Sequence, residues 1–230
     1  MPSQMTPATM DPIIHTPGLT LIRLTDTSPG SQHVQWFHEN WSHPSATSWS
    51  LHGPCKSLAE SREWMMEHMT KWDNMFYAVF EKPELQGDEG TTGEETGTGS
   101  RQGRHVGSVS LRLQSSGPTL QPPTPPSIAD TSKALNLRVI GYALFEVARG
   151  KGYATEANKA MLDAYRASVQ GEKDKGTQVF YIEACVDEGN PRSVAVLKKL
   201  GFREVGWKED VAVWLNGEWR TGYWIYGMYV

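Results

Sequence analysis

The sequence predicts an α/β (α+β) fold, one sheet of about seven strands with about four helices, and three features carry that expectation. Val139 to Val147 is rich in apolar and aromatic residues, as a strand buried on both faces would be, and the run breaks at Arg149 to Tyr153 on two glycines. Beyond the break, Ala154, Ala157, Ala160, Met161, Ala164 and Tyr165 recur at the three-and-four spacing of one helical face. Near the C-terminus, Phe202 to Trp214 and Trp219 to Val230 are strand-like and meet at Asn216-Gly217, a strong hairpin signal.

The other elements follow in order. Residues 1 to 17 carry Pro2, Pro7, Pro12 and Pro17 without periodicity and are expected as a flexible arm ahead of one domain, 18–230. Leu19 to Leu24 alternates as a first strand. Ser31 to Trp41 and Leu58 to Trp72 have helical spacing, the second placing Leu58, Trp64, Met65, Met69 and Trp72 on one side, with an irregular stretch between them. Met75 to Phe80 and His105 to Leu113 are strands. The Gly- and acid-rich segment near 83–104 and the proline-rich one near 115–133 are expected as surface insertions, because long hairpin loops cost little. Gln178 to Val186 is a further strand. Asn190 then offers an N-cap, Pro191 a first helical residue and Gly201 a stop for a last helix.

Composition narrows the function. Net charge −4 and pI near 6.0 give no footprint for nucleic acid. Two cysteines do not make a disulfide framework, and no apolar run suits a membrane, so a cytoplasmic protein is expected. His33, His38, His43 and His52 with Cys55 fit no compact metal-ligand spacing, and no metal is expected. Trp36, Phe37, Trp41 and Trp49 are expected in the core first, and as walls of an aromatic acceptor pocket second. The Trp- and Tyr-rich last hairpin offers a homodimer interface if its outer face is exposed.

The strand–glycine–helix junction is the chemical signal. The first N–H groups of a helix lack partners and point out of its positive end, and Gly150 and Gly152 let an anion approach the main chain. A P-loop is excluded because Gly152, not Ser or Thr, follows Lys151. A dinucleotide fingerprint has Thr155 at its third glycine, and too little chain follows for that fold.

Arg149-x-x-Gly152-x-Ala154 resembles the acyl-CoA signature of the GNAT N-acetyltransferase superfamily. The wider run Ile140-Gly-Tyr to Glu156-Ala157 is similar to its ribosomal-protein N-terminal acetyltransferase (RimJ/RimL-like) branch, as is Asn190-Pro-Arg-Ser193 through Leu200-Gly201-Phe202. The resemblance spans roughly Leu19 to Val230. It implies a mixed sheet whose fourth and fifth strands splay apart, and acetyl transfer from acetyl-CoA, as cosubstrate, to a primary amine on a small molecule or a protein N-terminus. Carried over by position, main-chain N–H groups of Gly150, Lys151, Gly152, Tyr153, Ala154 and Thr155 would hold the pyrophosphate, with Arg149 beside them orienting the loop. Backbone from Leu144 through Phe145 to Val147 would pair with pantetheine, and Asn190 and Ser193 would contact it from the other side. An N–H near Phe145 would stabilise the oxyanion. Glu183 is the candidate base, with Glu146 second. Many family members have a tyrosine where Leu197 stands, which leaves Ser193, water or unassisted departure for the thiolate. The alternative is a non-catalytic acyl-CoA-binding or sensing module.

Overall fold

The computed structural model describes residues 10–83, 103–123 and 133–230. Eight strands form one sheet in the order β1-β2-β3-β4-β5-β6-β8-β7. They are β1 Ile13–His15, β2 Leu19–Arg23, β3 Met75–Glu81, β4 Arg104–Leu113, β5 Ala134–Leu144, β6 Gln178–Val186, β7 Arg203–Leu215 and β8 Glu218–Tyr229. The helices are α1 Gln32–Ser42, α2 Pro44–Thr47, α3 Leu58–Trp72, α4 Tyr153–Asp174 and α5 Pro191–Lys199, with a 3-10 turn at Glu146–Ala148. Neighbouring strands are antiparallel except β5 and β6, which α4 joins as a crossover.

Two apolar layers sandwich the sheet. Val109, Leu111, Ile140 and Ile182 pack with Met161 and Leu162 of α4 and Leu197 of α5. On the other face Ile22, Phe76 and Phe80 pack with Val34 and Phe37 of α1 and Met65 of α3. β3 is therefore buried on both sides. The expected double burial of 139–147 is corrected: β5 ends at Leu144, its last residues are only half-buried, and Val147 is 66% exposed.

The reason is a split. β5 and β6 pair from Ala134↔Gln178 to Val139↔Glu183 and no further, although both strands continue. Beyond that row the two diverge as a V, and residues lining it have no strand beside them.

Other expectations change too. Residues 13–15 add an edge strand to β2, so the arm expected over 1–17 is ordered there; residues 1–9 lie outside the described residues. Most of the insertion near 83–104, and 124–132 of the second, also lie outside them. Residues 115–123 are not a free surface loop: Thr119 bonds to Glu183, Pro122 is buried, and Leu120 lies against Gly206. The Asn216-Gly217 turn has φ of +49° and +86°, the left-handed pair that this hairpin type requires. Near its tip Trp214 and Trp219 are 61% and 67% exposed, so the face expected for self-association is accessible. No helix among the described residues is long and apolar enough to cross a membrane.

Candidate active site

At the open end of the V, the chain leaves β5, makes the 3-10 turn and enters α4. Gly150 and Gly152 have φ of +79° and +83°, and a Cβ at either would meet nothing within 4 Å. Arg149 N–H donates to Glu146 O and Thr155 N–H to Gly152 O. Between them the N–H groups of 150–154 have no acceptor among the described residues. Five consecutive free N–H groups at a helix start form a concave anion site. Its frame is held from the side: Glu81 of β3 accepts from Tyr153 Oη, Lys151 Nζ and Arg104. The Tyr153 hydroxyl first, then Lys151 and Arg104, hold the Glu81 carboxyl down at about 2.

The walls of the V come from alternation. Phe145 N–H bonds to Val106 O, so in the β4–β5 ladder the main-chain groups of 139, 141 and 143 face β4. Those of Ile140, Tyr142 and Leu144 face the V. Across it, Asn190 caps α5 by accepting from Ser193 N–H at 3.2 Å. Tyr142 Oη meets Ser193 Oγ at 2.6 Å, bridging the two walls. Burial pushes the Tyr142 phenol up to about 12.

Two cavities share the walls Trp49, Leu51 and Arg112. One, about 320 Å³, includes Cys185, Asn190, Ser193 and the inner side of the β7–β8 hairpin. The other, about 540 Å³, lies between α1, α3 and the sheet, within the size range of small-molecule sites. Trp41, Trp49, Trp64, Trp72, His52 and His68 surround it, and Ser108, Ser110 and Gly141 form its floor. Trp64, His68 and Trp72 are four apart on α3 and so share one face, with ring centroids 4.6 to 5.3 Å apart.

The two imidazoles of this chamber differ. Asn74 Nδ2 donates to His68 Nδ1 at 2.6 Å, which puts the proton of the neutral ring on Nε2. Burial pushes His68 down to about 4. His52 Nδ1 lies 3.1 Å from Gly53 O, a carbonyl that can only accept, so the neutral ring keeps its lone pair on Nε2. His52 stacks on Trp64 at 4.1 Å. It also stands with Cys55 and Glu60, their ligand atoms within 4.8 Å of one another, although the spacing suggested no such cluster. Glu60 is already bound there to Lys56 N–H at 2.6 Å.

A family model described as an acetyltransferase (GNAT) domain matches residues 22–203. The chain belongs to the GNAT acetyltransferase family. Enzymes of this family use acetyl-CoA as cosubstrate. Among solved structures, a probable GNAT acetyltransferase from Chromobacterium violaceum is 16% identical, with 100% of this chain and 92% of that one covered and a TM-score of 0.60. Spermidine N-acetyltransferase from Vibrio cholerae, solved with CoA and spermine, is 15% identical over 93% and 96%, TM-score 0.58. RimL, a ribosomal-protein α-N-acetyltransferase bound to coenzyme A, is 21% identical over 95% and 98%, TM-score 0.56. No curated protein matches the chain.

Within this GNAT chain the expected site residues separate. Gly150, Lys151, Gly152, Tyr153 and Ala154 present free N–H groups, whereas Thr155 spends its own in the first helical turn. Arg149 reaches Ser45 O on α2 and so anchors the loop. Leu144 faces the V, but Val147 belongs to the 3-10 turn, and the Phe145 N–H is committed to Val106 at 3.0 Å. The Phe145 N–H expected as oxyanion donor is therefore already occupied in this structure. Asn190 and Ser193 line the smaller cavity. Glu183 sits at the vertex of the V, fully buried, lining neither cavity; Thr119 N–H and Oγ1 donate to its carboxylate at 3.0 to 3.2 Å. Burial raises its pKa against those hydrogen bonds. Glu146 is exposed in the 3-10 turn. Leu197 is buried in the core. Tyr142 and Arg112 were not singled out from sequence. Tyr142 stood inside the matched run, but nothing local tells which face of a strand a tyrosine takes.

Proposed function

We propose that this chain is an acetyl-CoA-dependent N-acetyltransferase that acetylates a primary amine held in the aromatic chamber. The observation that carries it is the V between β5 and β6, which has an anion-binding loop at its open end and an apolar chamber beside its vertex. When bound, acetyl-CoA supplies the acyl group. The N–H groups of 150–154 fit its pyrophosphate, and the V-facing main chain of Tyr142 and Leu144 fits its amide-bearing arm. Main-chain N–H groups of that edge are the available donors to the thioester oxygen as it gains charge.

Proton handling falls to the chain. An amine of pKa near 10 is about one part in a thousand neutral at pH 7, a handicap of roughly 4 kcal/mol. His52 Nε2 is the free lone pair of the chamber wall and takes the ammonium proton, directly or through water. Nitrogen attack forms the bond to the acyl carbon, the carbon–sulfur bond then breaks, and the proton that the nitrogen sheds is balanced by the one the departing thiolate takes up, through water. Tyr142 does not supply that proton, because passing it from a phenol near 12 to a thiolate whose acid lies near 8.5 is uphill by roughly 5 kcal/mol. Its hydroxyl instead holds Ser193 in place to donate a hydrogen bond to the sulfur. Glu183 acts as a positioning residue, fixing the 115–123 segment over the vertex.

The test is thiol release from acetyl-CoA with a panel of aromatic amines, amino acids, polyamines and short peptides, against an amine-free control. Release that depends on one amine class, with a matching N-acetyl product, supports the proposal. Tight acetyl-CoA binding with no release across the panel would favour a sensing module.

A further inference from the structure

Arg112 is half-buried at the junction of the two cavities. It lies in one row with Val139 and Glu183 across β4, β5 and β6, so its side chain shares the chamber face of the sheet. Its only side-chain hydrogen bond among the described residues is a long one, 3.4 Å, to Gln114 Oε1. No carboxylate of those residues stands within ion-pair distance of it, whereas Arg138 and Arg220 both have acidic partners. Glu183 feels the Arg112 charge but is enclosed and held by Thr119, so the half-buried guanidinium is left to meet an anion on its cavity side.

The same chamber holds a second, independent imbalance. Of the eight buried side-chain atoms without a hydrogen-bond partner among the described residues, four belong to its lining: Trp41 Nε1, Trp64 Nε1, His68 Nε2 and Asn74 Oδ1. Three of these are N–H donors, and His68 is 7% exposed. These atoms are closed off from the cavity and so are not themselves open to a ligand, which leaves Arg112 as the charged group of a lining that, among the described residues, carries no aspartate or glutamate.

We propose that the acceptor is a zwitterionic amine, a free amino acid with an aromatic or large apolar side chain, whose carboxylate pairs with Arg112 while its body stacks among the tryptophans. This rests on the acetyl-transfer reading above. A polyamine would bring a second positive charge into a chamber whose one fixed charge is positive. A protein N-terminus carries no carboxylate next to its amine.

The experiment compares matched pairs on the full chain at saturating acetyl-CoA: phenylalanine against phenethylamine and tryptophan against tryptamine, with spermidine and a short N-terminal peptide alongside. Thiol release should give the carboxylate-bearing member a kcat/KM at least about tenfold higher, and Arg112→Gln should collapse that ratio toward one by raising KM. Trp64→Leu, which removes the ring on which the side chain stacks, should raise KM for both members of each pair and leave their ratio in place. Equal rates within each pair, or preference for spermidine or the peptide, would overturn the proposal while leaving acetyl transfer standing. Calorimetric binding of the amino acids separates the opposite case. Arg112-dependent binding without turnover would uphold the carboxylate site and sink the transfer reading. Absence of both binding and turnover of every amino acid would overturn this proposal.

Discussion

Replacing Gly152 by glutamate tests the anion loop. At φ +83° any side chain sits in the left-handed region, a strain of about 1–2 kcal/mol. Gly201, at φ +90° with nothing within 4 Å of where a Cβ would sit, supplies a control with the same strain away from the loop. Both variants should therefore lose similar thermal stability. Only Gly152→Glu sets a carboxylate against the free N–H groups of 150–154. A charge pair about 5 Å apart at an effective dielectric near 20 repels by about 3 kcal/mol. The loop is exposed, and screening halves that to about 1.5 kcal/mol, roughly tenfold in Kd, before the blocked approach to the main chain is added. Calorimetry with acetyl-CoA reads the effect. Unchanged affinity in Gly152→Glu, or an equal loss in Gly201→Glu, would refute the assignment of the loop.

Three further outcomes are expected. Tyr142→Phe and Ser193→Ala should each lower kcat by up to about tenfold with little change in KM for acetyl-CoA, and the double variant should be no worse than the weaker single one, because they share one hydrogen bond. Glu81 should stabilise the fold by about 1–2 kcal/mol after screening; as its folded pKa is depressed to about 2, the advantage over Glu81→Gln is full above about pH 4.5 and fades as pH falls to about 2 in chemical denaturation. Asp73→Asn should cost about 3 kcal/mol by thermal or urea unfolding, since it leaves the Arg138 guanidinium, 3% exposed, without its anion 2.5 Å away.

Much of the scaffold was legible because periodicity and punctuation agreed. α3 over 58–72 and β6 over 178–186 have the bounds their sequences suggest, and Asn190, Pro191 and Gly201 mark α5 within a residue. β1 was not, since three residues between prolines carry too little pattern, and its partner β2 supplies the order. α2 is a single turn that His43 caps, too short for any period.

The site divides along the same line. Glycine chemistry is local, so 150–154 could be read directly. Where the Phe145 N–H points is a matter of strand register: whether an N–H faces the V or β4 depends on which residue of β4 lies opposite. Nothing in the strand sequence around Arg112 sets it apart, and its place among tryptophans arises only when α1, α3 and β4 come together. Trp64 and Trp72 were recognised as one helical face, but that face is shared between core and chamber, which spacing does not separate.

The most direct measurement is a crystal structure of the protein with coenzyme A. The pyrophosphate should lie on the N–H groups of 150–154 and the arm between β5 and β6, with the sulfur near Ser193 and opening on the aromatic chamber. Coenzyme A bound elsewhere, or with its pyrophosphate off the loop and its arm outside the V, would contradict this placement.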